Sequence, residues 1–541
     1  MTEAAVEQPA ATDAPTPRSG GSGLAAALIA AGILLSRLLG LVRQMFMARY
    51  LGAGMAADAF NAAFKIPNIL QNIMGEGALS ASLIPVYASL LGRGEREEAD
   101  RVAGAVAGLL ALASTVFVVA GVLLTPMLIA LIAPGFEGEK RALTIHLTRI
   151  LFPGAGIFVL SAWCIGILNS HRKFFLSYAA PVAWNVAMIA ALLWFGPRET
   201  VPRIAVALAW ASVAGAALQF GVQLPTVLRL LGGLRVTLST TSANVRRVMK
   251  NFAPVAVSRG VVQISSYVDQ IIASWLPNGA VAMIAYASTL YVLPVSLFGM
   301  SVSAAELPEL ARGVAPGDEA LGAIRDRVNT GLRRIAYFVV PSAVAFLLLG
   351  DVIVNALLRS GRFGEVESLF TWGILAGSAV GLLASTLARL YSSTFYAFHD
   401  TRTPFRFAVA RIILGTALGV AAALLGPRLL GVDPRWGAAG LTLASSVAGW
   451  FELTLLRRGI DRRLAGWTGI PGGISLRLWG SAALAAAAAN GVQLLVADLH
   501  RWAVAVIVLG TFGAVYLALT VMAGVPEARG LVRRVAGRLR R

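Results

Sequence analysis

Residues 102–133 read VAGAVAGLLALASTVFVVAGVLLTPMLIALIA, without one charged side chain. Coiled as an α-helix rising 1.5 Å per residue, this stretch is about 48 Å long, more than the ~30 Å needed to cross the hydrocarbon of a bilayer. The same character extends outward in both directions. The 541 residues are 57% hydrophobic and 13% charged, with a mean hydropathy of +0.74, whereas a soluble domain carries about 25% charged residues. The chain therefore reads as an all-α, polytopic membrane protein. At ~20 residues per span it has room for roughly a dozen to fifteen helices joined by short connections, and for no separate soluble catalytic domain.

Long apolar runs bounded by charged, Gly or Pro clusters number fourteen. Residues 1–23, rich in Ala, Pro, Thr and Gly, read as a disordered tail. Leu24 to Leu35 has the length of a signal-peptide core, but the preceding segment holds one base against three acids, and the apolar pattern runs on past Arg37. An uncleaved first span is the expectation. Two runs, 56–90 and 280–310, are longer than a straight span needs and carry internal Gly and Pro, which predicts bent helices.

The chain also resembles itself. Ser36-Arg37 opens a run ending at Gly52-Ala-Gly54, followed by a bent span with Pro67 and Pro85; Ser258-Arg259 opens one ending at Pro277-Asn-Gly279, followed by a bent span with Pro294 and Pro308. Later, Leu168 to Lys173 and Phe398 to Pro404 each lead into a span. This order predicts two pseudo-symmetric six-helix lobes, 24–231 and 249–458, two further helices within 474–524, and a basic tail at 525–541. Paired bundles of this kind build secondary transporters, with the site between them.

The net charge of +19 would suggest nucleic acid in a soluble protein, but here the bases must be sorted by topology first. With both termini cytoplasmic, 29 of the 46 Lys and Arg residues fall on inner segments and nine on outer loops, Lys140 and Arg362 among them. Most of the positive charge orients the chain, with a weak attraction to anionic membrane lipids. Nothing points to nucleic acid. The single cysteine, Cys164, sits in an apolar run, and the four histidines have no metal-ligand spacing, so neither metal nor cofactor is expected.

Eight bases remain inside spans: Arg37, Arg43, Arg49, Lys65, Arg149, Arg259, Arg389 and Arg411; Asp58, Glu76, Asp269, Glu306, Glu309 and Glu452 are their acidic counterparts. An intramembrane charge costs several kcal/mol, so each is a functional candidate. Arg49, Arg149 and Arg411 lie near span ends and read as snorkelling, whereas Arg37, Arg43, Lys65 and Arg259 lie deeper. Several arginines in a water-accessible cavity imply an anionic substrate, because the guanidinium forks onto phosphate or carboxylate oxygens; internal pairing with Asp58, Glu76 or Asp269 is the competing reading. Arg37 and Arg43 are about 240° apart on a helix, so either Gly40 bends it or the two line different walls of a wide cavity. Gly75-Glu76-Gly77 reads as a hinge with a buried carboxylate or as a tight packing point. Asp269 suits a coupling cation, a proton, or neutralisation of a base.

The stretch Ser36-Arg-Leu-Leu-Gly-Leu-Val-Arg43, continuing through Ala48 to Phe60, Phe64-Lys-Ile-Pro-Asn68 and Gly75-Glu-Gly-Ala-Leu-Ser80, closely resembles the MurJ (MviN) family of lipid II flippases, in the superfamily of multidrug and oligosaccharidyl-lipid exporters. The resemblance continues through Ala133-Pro-Gly-Phe136, Gln263-Ile-Ser265 and Phe395 to Pro404, in order along nearly the whole chain. It implies a V-shaped pair of lobes, a basic central cavity, a terminal helix pair grooved for a lipid tail, and alternating access. The substrate would be lipid II, carried without chemical conversion across the bacterial cytoplasmic membrane by a monomer, with cell-wall synthesis proteins as partners. Arg37, Arg43, Asp58, Lys65, Asn68 and Arg259 are then the expected substrate-binding set, and Gly40, Gly75, Glu76 and Gly77 the gating set, with Asp269 a candidate for the coupling ion. The chain departs from the family where an acid commonly follows the second arginine (here Gln44), where an arginine follows Pro-Asn (Gln71), and where charged residues precede the eighth-helix proline (Ser288, Thr289, Val292). Arg259 is a candidate replacement for one lost positive charge. The departures keep open an exporter of another polyprenyl-linked oligosaccharide, or a transport-inactive scaffold. A membrane glycosyltransferase or phosphatase would need an acidic or His-based surface site, and the short loops assemble none.

Overall fold

A computed structural model of the chain describes residues 22–300 and 318–539; the side chains of 22–31, 33, 76, 257–266, 299–300, 318–320 and 534–539 lie outside that description. The tail expected at the N-terminus, up to residue 21, and the segment holding Glu306, Pro308 and Glu309 are thus outside the described residues. Among those described, secondary structure is helical apart from one isolated bridge, Ser360 with Phe363.

The first part of the chain forms α1 (Ser22–Leu51), α2 (Met55–Met74), α3 (Glu76–Gly92), α4 (Arg96–Ile132), α5 (Gly138–Ser170), α6 (Phe174–Phe195) and α7 (Val201–Leu230). Residues 231–242 lead to α8 (Ala243–Ser274) and α9 (Ala280–Pro294), which passes into a π-turn over Val295–Met300. Then follow α10 (Asp318–Leu348), α11 (Gly350–Leu357), α12 (Glu365–Val380), α13 (Leu382–Ala397), α14 (Arg402–Val420), the short α15 (Gly426–Leu430) and α16 (Gly437–Arg463). The chain ends with α17 (Gly472–Leu495), α18 (Arg501–Met522) and α19 (Pro526–Leu539). Helices α1, α2, α4, α5, α6 and α7 pack mainly on one another, and so do α10, α12, α13, α14 and α16; α17 and α18 pair and lean on α10 and α11. Contact between the two groups runs chiefly through α8 and α9, which pack on α2, α3 and α12.

By length and composition, 11 described helices can cross a membrane, or 12 if α12 and α13, bent by 40° at Gly381, are one span. Helices α1 and α8 also have spanning length, at 30 and 32 residues, and with them the elements reach the expected fourteen. Arg246, Arg247, Lys250 and Asp269 lower the hydropathy of α8, and both helices include undescribed side chains. Similar hydropathy hides different environments. In α4 only 22% of the most apolar window is buried, against 78% in α5. Leu112, Phe117, Leu123 and Met127 of α4 are exposed, as a helix facing lipid requires, while α5 is enclosed by α2, α3, α4 and α7.

The bend expected in 56–90 falls at Gly75, where α2 stops and α3 begins. A Cβ there would collide with the Gln71 carbonyl oxygen, so only glycine lets the chain turn this tightly. The run 280–310, expected to bend, continues as helix past Pro294 but changes to π-helical hydrogen bonding over Val295–Met300, and its remainder lies outside the described residues. Pro removes a backbone donor and commonly forces such local unwinding.

Candidate functional site

Helix α1 runs unbroken through Gly40, so no bend brings Arg37 and Arg43 together. Both instead line one cavity of ≈ 580 Å3, walled by α1, α6 and α9. A second chamber of ≈ 390 Å3 continues from it, sharing Ser36, Arg43, Pro181, Trp184 and Asn185 with the first and reaching α2, α5 and α7. Among the described lining residues of both spaces, the only charged side chains are Arg37 and Arg43. Arg37 is exposed to the opening and Arg43 half-buried.

No described carboxylate pairs with Arg43. Its guanidinium carbon lies 4.4 Å from the centroid of the Trp184 ring, Nη1 lies 3.8 Å from the Met188 sulfur, and Nε has no hydrogen-bond partner. The negative π-face steadies the cation without neutralising it, which leaves Arg43 able to take an anion. Trp184 is itself held, its Nε1 donating to Ser212 Oγ at 3.1 Å and its ring stacked on Phe64. Beside Arg43, Gln44 Nε2 donates to Thr289 Oγ1 across α1 and α9 at 3.1 Å. An amide–hydroxyl bond thus stands where the resemblance leads one to expect acidic and basic residues.

The other sequence candidates separate. Asn68 lines the second chamber, together with Gln71. Asp58 lines neither space. Fully buried, its Oδ2 accepts from Lys140 Nζ at 2.7 Å and from Gly279 N at 2.8 Å, and its Oδ1 from Ala282 N at 2.8 Å. It therefore caps the N-terminus of α9, where orphan N–H groups and the helix dipole favour an anion. Lys140, counted among the outer-loop bases, is a buried partner that also covers the Phe136 ring. Around this pair Tyr286 Oη donates to Gly52 O at 2.9 Å and Arg362 N to Arg49 O at 2.9 Å. Gly279 has φ +97°, and a Cβ on it would strike the Ala53 carbonyl oxygen. This stitch joins α1 and α2 to α9 and the 358–364 loop about 12 Å along α1 beyond Arg43.

Lys65 lies half-buried, its Nζ 3.5 Å from Gln270 Oε1, and interacts electrostatically with Asp269. Asp269 also faces Arg411, whose guanidinium sits 3.6 Å from Glu452. Arg411, read as snorkelling, keeps 37% of its side chain exposed while pairing with Glu452. No group of three or more His, Cys, Asp or Glu suited to a metal occurs among the described residues. Gly40 lines the cavity opposite Asn185. Gly75 marks the helix break and Gly77 lies just inside α3; the Glu76 and Arg259 side chains lie outside the described residues, on α3 and α8. Trp184, Asn185 and Gln219 also line these spaces and were not among the sequence candidates. As amides and an aromatic inside apolar runs, they carry no charge to mark them.

A multi-helix membrane fold with an arginine-lined chamber between its helices is the architecture of a polytopic membrane transporter. A multidrug resistance MATE family transporter of the MOP superfamily, in an inward-facing conformation, superposes with a TM-score of 0.62 at 17% identity over 82% of this chain and 99% of its own. A structure described as lipid II flippase MurJ, inward closed conformation, superposes with a TM-score of 0.75 at 22% identity, covering 94% of this chain and 100% of its own. The family model described as lipid II flippase MurJ matches residues 47–513. A probable lipid II flippase MurJ of Rhizobium tropici is 33% identical over 435 residues, 78% of this chain and 79% of the relative. The lipid II flippase MurJ of Burkholderia cenocepacia is 32% identical over 446 residues, 80% of this chain and 84% of the relative. The chain belongs to the MurJ lipid II flippase family.

Proposed function

We propose that the chain moves lipid II, the undecaprenyl-pyrophosphate-linked peptidoglycan precursor, from the cytoplasmic to the periplasmic leaflet of the bacterial cytoplasmic membrane by alternating access. The observation that carries this reading is a cavity in which the only described charges are two arginines, neither neutralised by a described carboxylate. Two guanidiniums match a pyrophosphate, the charged group of such a lipid, through forked charge-assisted hydrogen bonds. Helices within 24–231 and 249–458 form the two moving bodies, both termini lie in the cytoplasm, and the stitch around Asp58 closes the periplasmic end. The chain works as a monomer. Asp269 serves as an internal counter-ion shared between Lys65 and Arg411. Carrying a net charge across the membrane potential is worth about 2.3 kcal/mol per 100 mV, enough to bias the cycle.

Complementation of a flippase-depleted bacterium tests the reading: growth is expected from the chain, and lysis despite normal expression and insertion would count against lipid II transport and for a scaffold. Replacing Arg37 and Arg43 together with Ala should abolish rescue and binding of undecaprenyl pyrophosphate by the purified protein; unchanged affinity would refute the pyrophosphate grip. The neutral Gln44–Thr289 pair favours, as the second reading, an exporter of a different polyprenyl-linked oligosaccharide.

A further inference from the structure

The segment that joins the two halves of the chain is fastened to the first of them. Just after α7, Gly232 N donates to Asp100 Oδ2, near the start of α4, at 3.0 Å. The chain then follows α4 without regular secondary structure. A Cβ on Gly104 would strike the Arg235 carbonyl oxygen, and one on Gly108 the Thr237 carbonyl oxygen, so glycine at both places is what lets the backbones touch. The segment returns to the foot of α4, where Ser242 Oγ and Asn244 Nδ2 both donate to Glu98 Oε1, at 2.6 Å and 3.2 Å. Ser242 also caps α8, accepting from Asn244 N.

This fastening places the start of α8 with the first half. The sequence repeat puts α8 at the head of the second lobe, yet Val245 and Val248 are each 1% exposed in a core with Leu83 and Tyr87 of α3, Val102 of α4 and Val227 of α7. The far end of α8, at Ile272 and Ala273, is buried with α9 instead. Helix α8 thus closes the seam against α3 at the end of the fold opposite Asp58: α2 starts beside that stitch, α2 and α3 in series lead away to Gly92, and α4 begins at Arg96.

The strap is made to detach. Its grip lies in the backbone, because the side chains of 235–241 are exposed, Val236 and Leu238 at 59% and 57%, so leaving α4 empties no core. It also holds slack. Its two ends bond to Asp100 and Glu98, neighbours on one helix, whereas the chain from 232 to 242 reaches about 35 Å when drawn out.

We propose that residues 232–242 are a latch: docked on α4, they keep the first turns of α8 in the N-terminal core and shut the cavity end opposite the stitch; undocked, their slack lets α8 swing out with the second lobe. This rests on the alternating-access reading. The test uses the full chain in nanodiscs with Cys164→Ser, carrying Val248→Cys at the latch end or Met283→Cys at the stitch end, and reads the labelling rate with a membrane-impermeant maleimide. Gly104→Ala with Gly108→Ala, which overpacks the strap contact, should speed labelling at 248 about tenfold or more. Glu98→Gln, which weakens the two bonds to α8, should speed it about three- to tenfold. Labelling at 283 should stay level or slow. Unchanged labelling at 248 in both variants overturns the latch, and so does an equal rise at 248 and 283, which marks a loosened fold. Asp58→Asn separates the two readings: it should speed labelling at 283 and slow it at 248, and a rise at 283 without slowing at 248 overturns alternating access itself.

Discussion

Replacing Asp58 with Asn should open the stitched end of the transporter. The carboxylate is fully buried and holds three partners: Lys140 Nζ at 2.7 Å and the backbone N–H groups of Gly279 and Ala282 at 2.8 Å. The amide of Asn can still accept from one backbone donor but leaves the Lys140 ammonium without a counter-charge. Removing one partner of a buried pair typically costs 3–5 kcal/mol. Lys140 retains 11% exposure and can turn toward water, which favours the low end, about 3 kcal/mol. At 1.4 kcal/mol per tenfold, the ratio of open to closed molecules rises about 100-fold. The readout is a cysteine replacing Met283, which is 2% exposed on α9, in a chain lacking Cys164. Its labelling rate by a membrane-impermeant maleimide added outside tracks the open population. Adding Lys140→Met to Asp58→Asn removes the stranded charge and should restore much of the closure; Lys140→Met alone, which strands the fully buried carboxylate, should open it at least as much as Asp58→Asn. A correctly inserted Asp58→Asn protein labelled less than threefold faster would refute the role given to this clamp.

Gly279→Ala, at φ +97° and against the Ala53 carbonyl, should raise the same labelling rate by about tenfold, from a left-handed penalty of roughly 1–2 kcal/mol; no change would mean that α9 starts freely. Trp184→Leu removes the ring under Arg43, a contact worth up to about 2 kcal/mol when desolvated. It should weaken undecaprenyl pyrophosphate up to about thirtyfold in direct binding while leaving undecaprenol unaffected. Asp400, in the turn before α14, has its carboxyl held below the usual range by the Thr403 backbone N–H, with the Thr403 hydroxyl and Arg463 adding to this. A depressed folded-state value contributes stability that is complete above the unfolded value of about 3.9 and is lost as pH falls through the folded one. The melting temperature of the purified protein should thus fall on acidification below about pH 4, and Asp400→Asn should flatten that slope. Restoring charge with Gln44→Asp and Thr289→Arg together should keep the α1–α9 contact as an ion pair and preserve complementation, whereas Gln44→Asp alone, placing a carboxylate beside Arg43, should weaken pyrophosphate binding.

Class, span positions and the break at Gly75 follow from composition and local chemistry, and were legible in residues such as 102–133 and Gly75 itself. A run without charges has nowhere stable to go but the bilayer, and a glycine flanked by helix-forming segments is where the chain can turn. Arg37 and Arg43 were also legible as cavity residues, because the cost of burying a cation makes each one conspicuous in a greasy span.

What the side chains do for one another was decided by tertiary structure alone. Asp58 and Lys140 are 82 positions apart, and Asp58 and Gly279 221 apart; no spacing rule brings them together, so an acid of the expected substrate-binding set stands in the structure as the cap of a distant helix. Arg411 reaches Glu452, on another helix, at 3.6 Å. Trp184 and Asn185 carry no charge, and inside an apolar run they resemble ordinary packing until α1 and α2 fold against them. Hydropathy acts on each segment singly and so is written in the sequence. Ion pairs, caps and chambers are properties of pairs of segments, and exist only once the helices have chosen their neighbours.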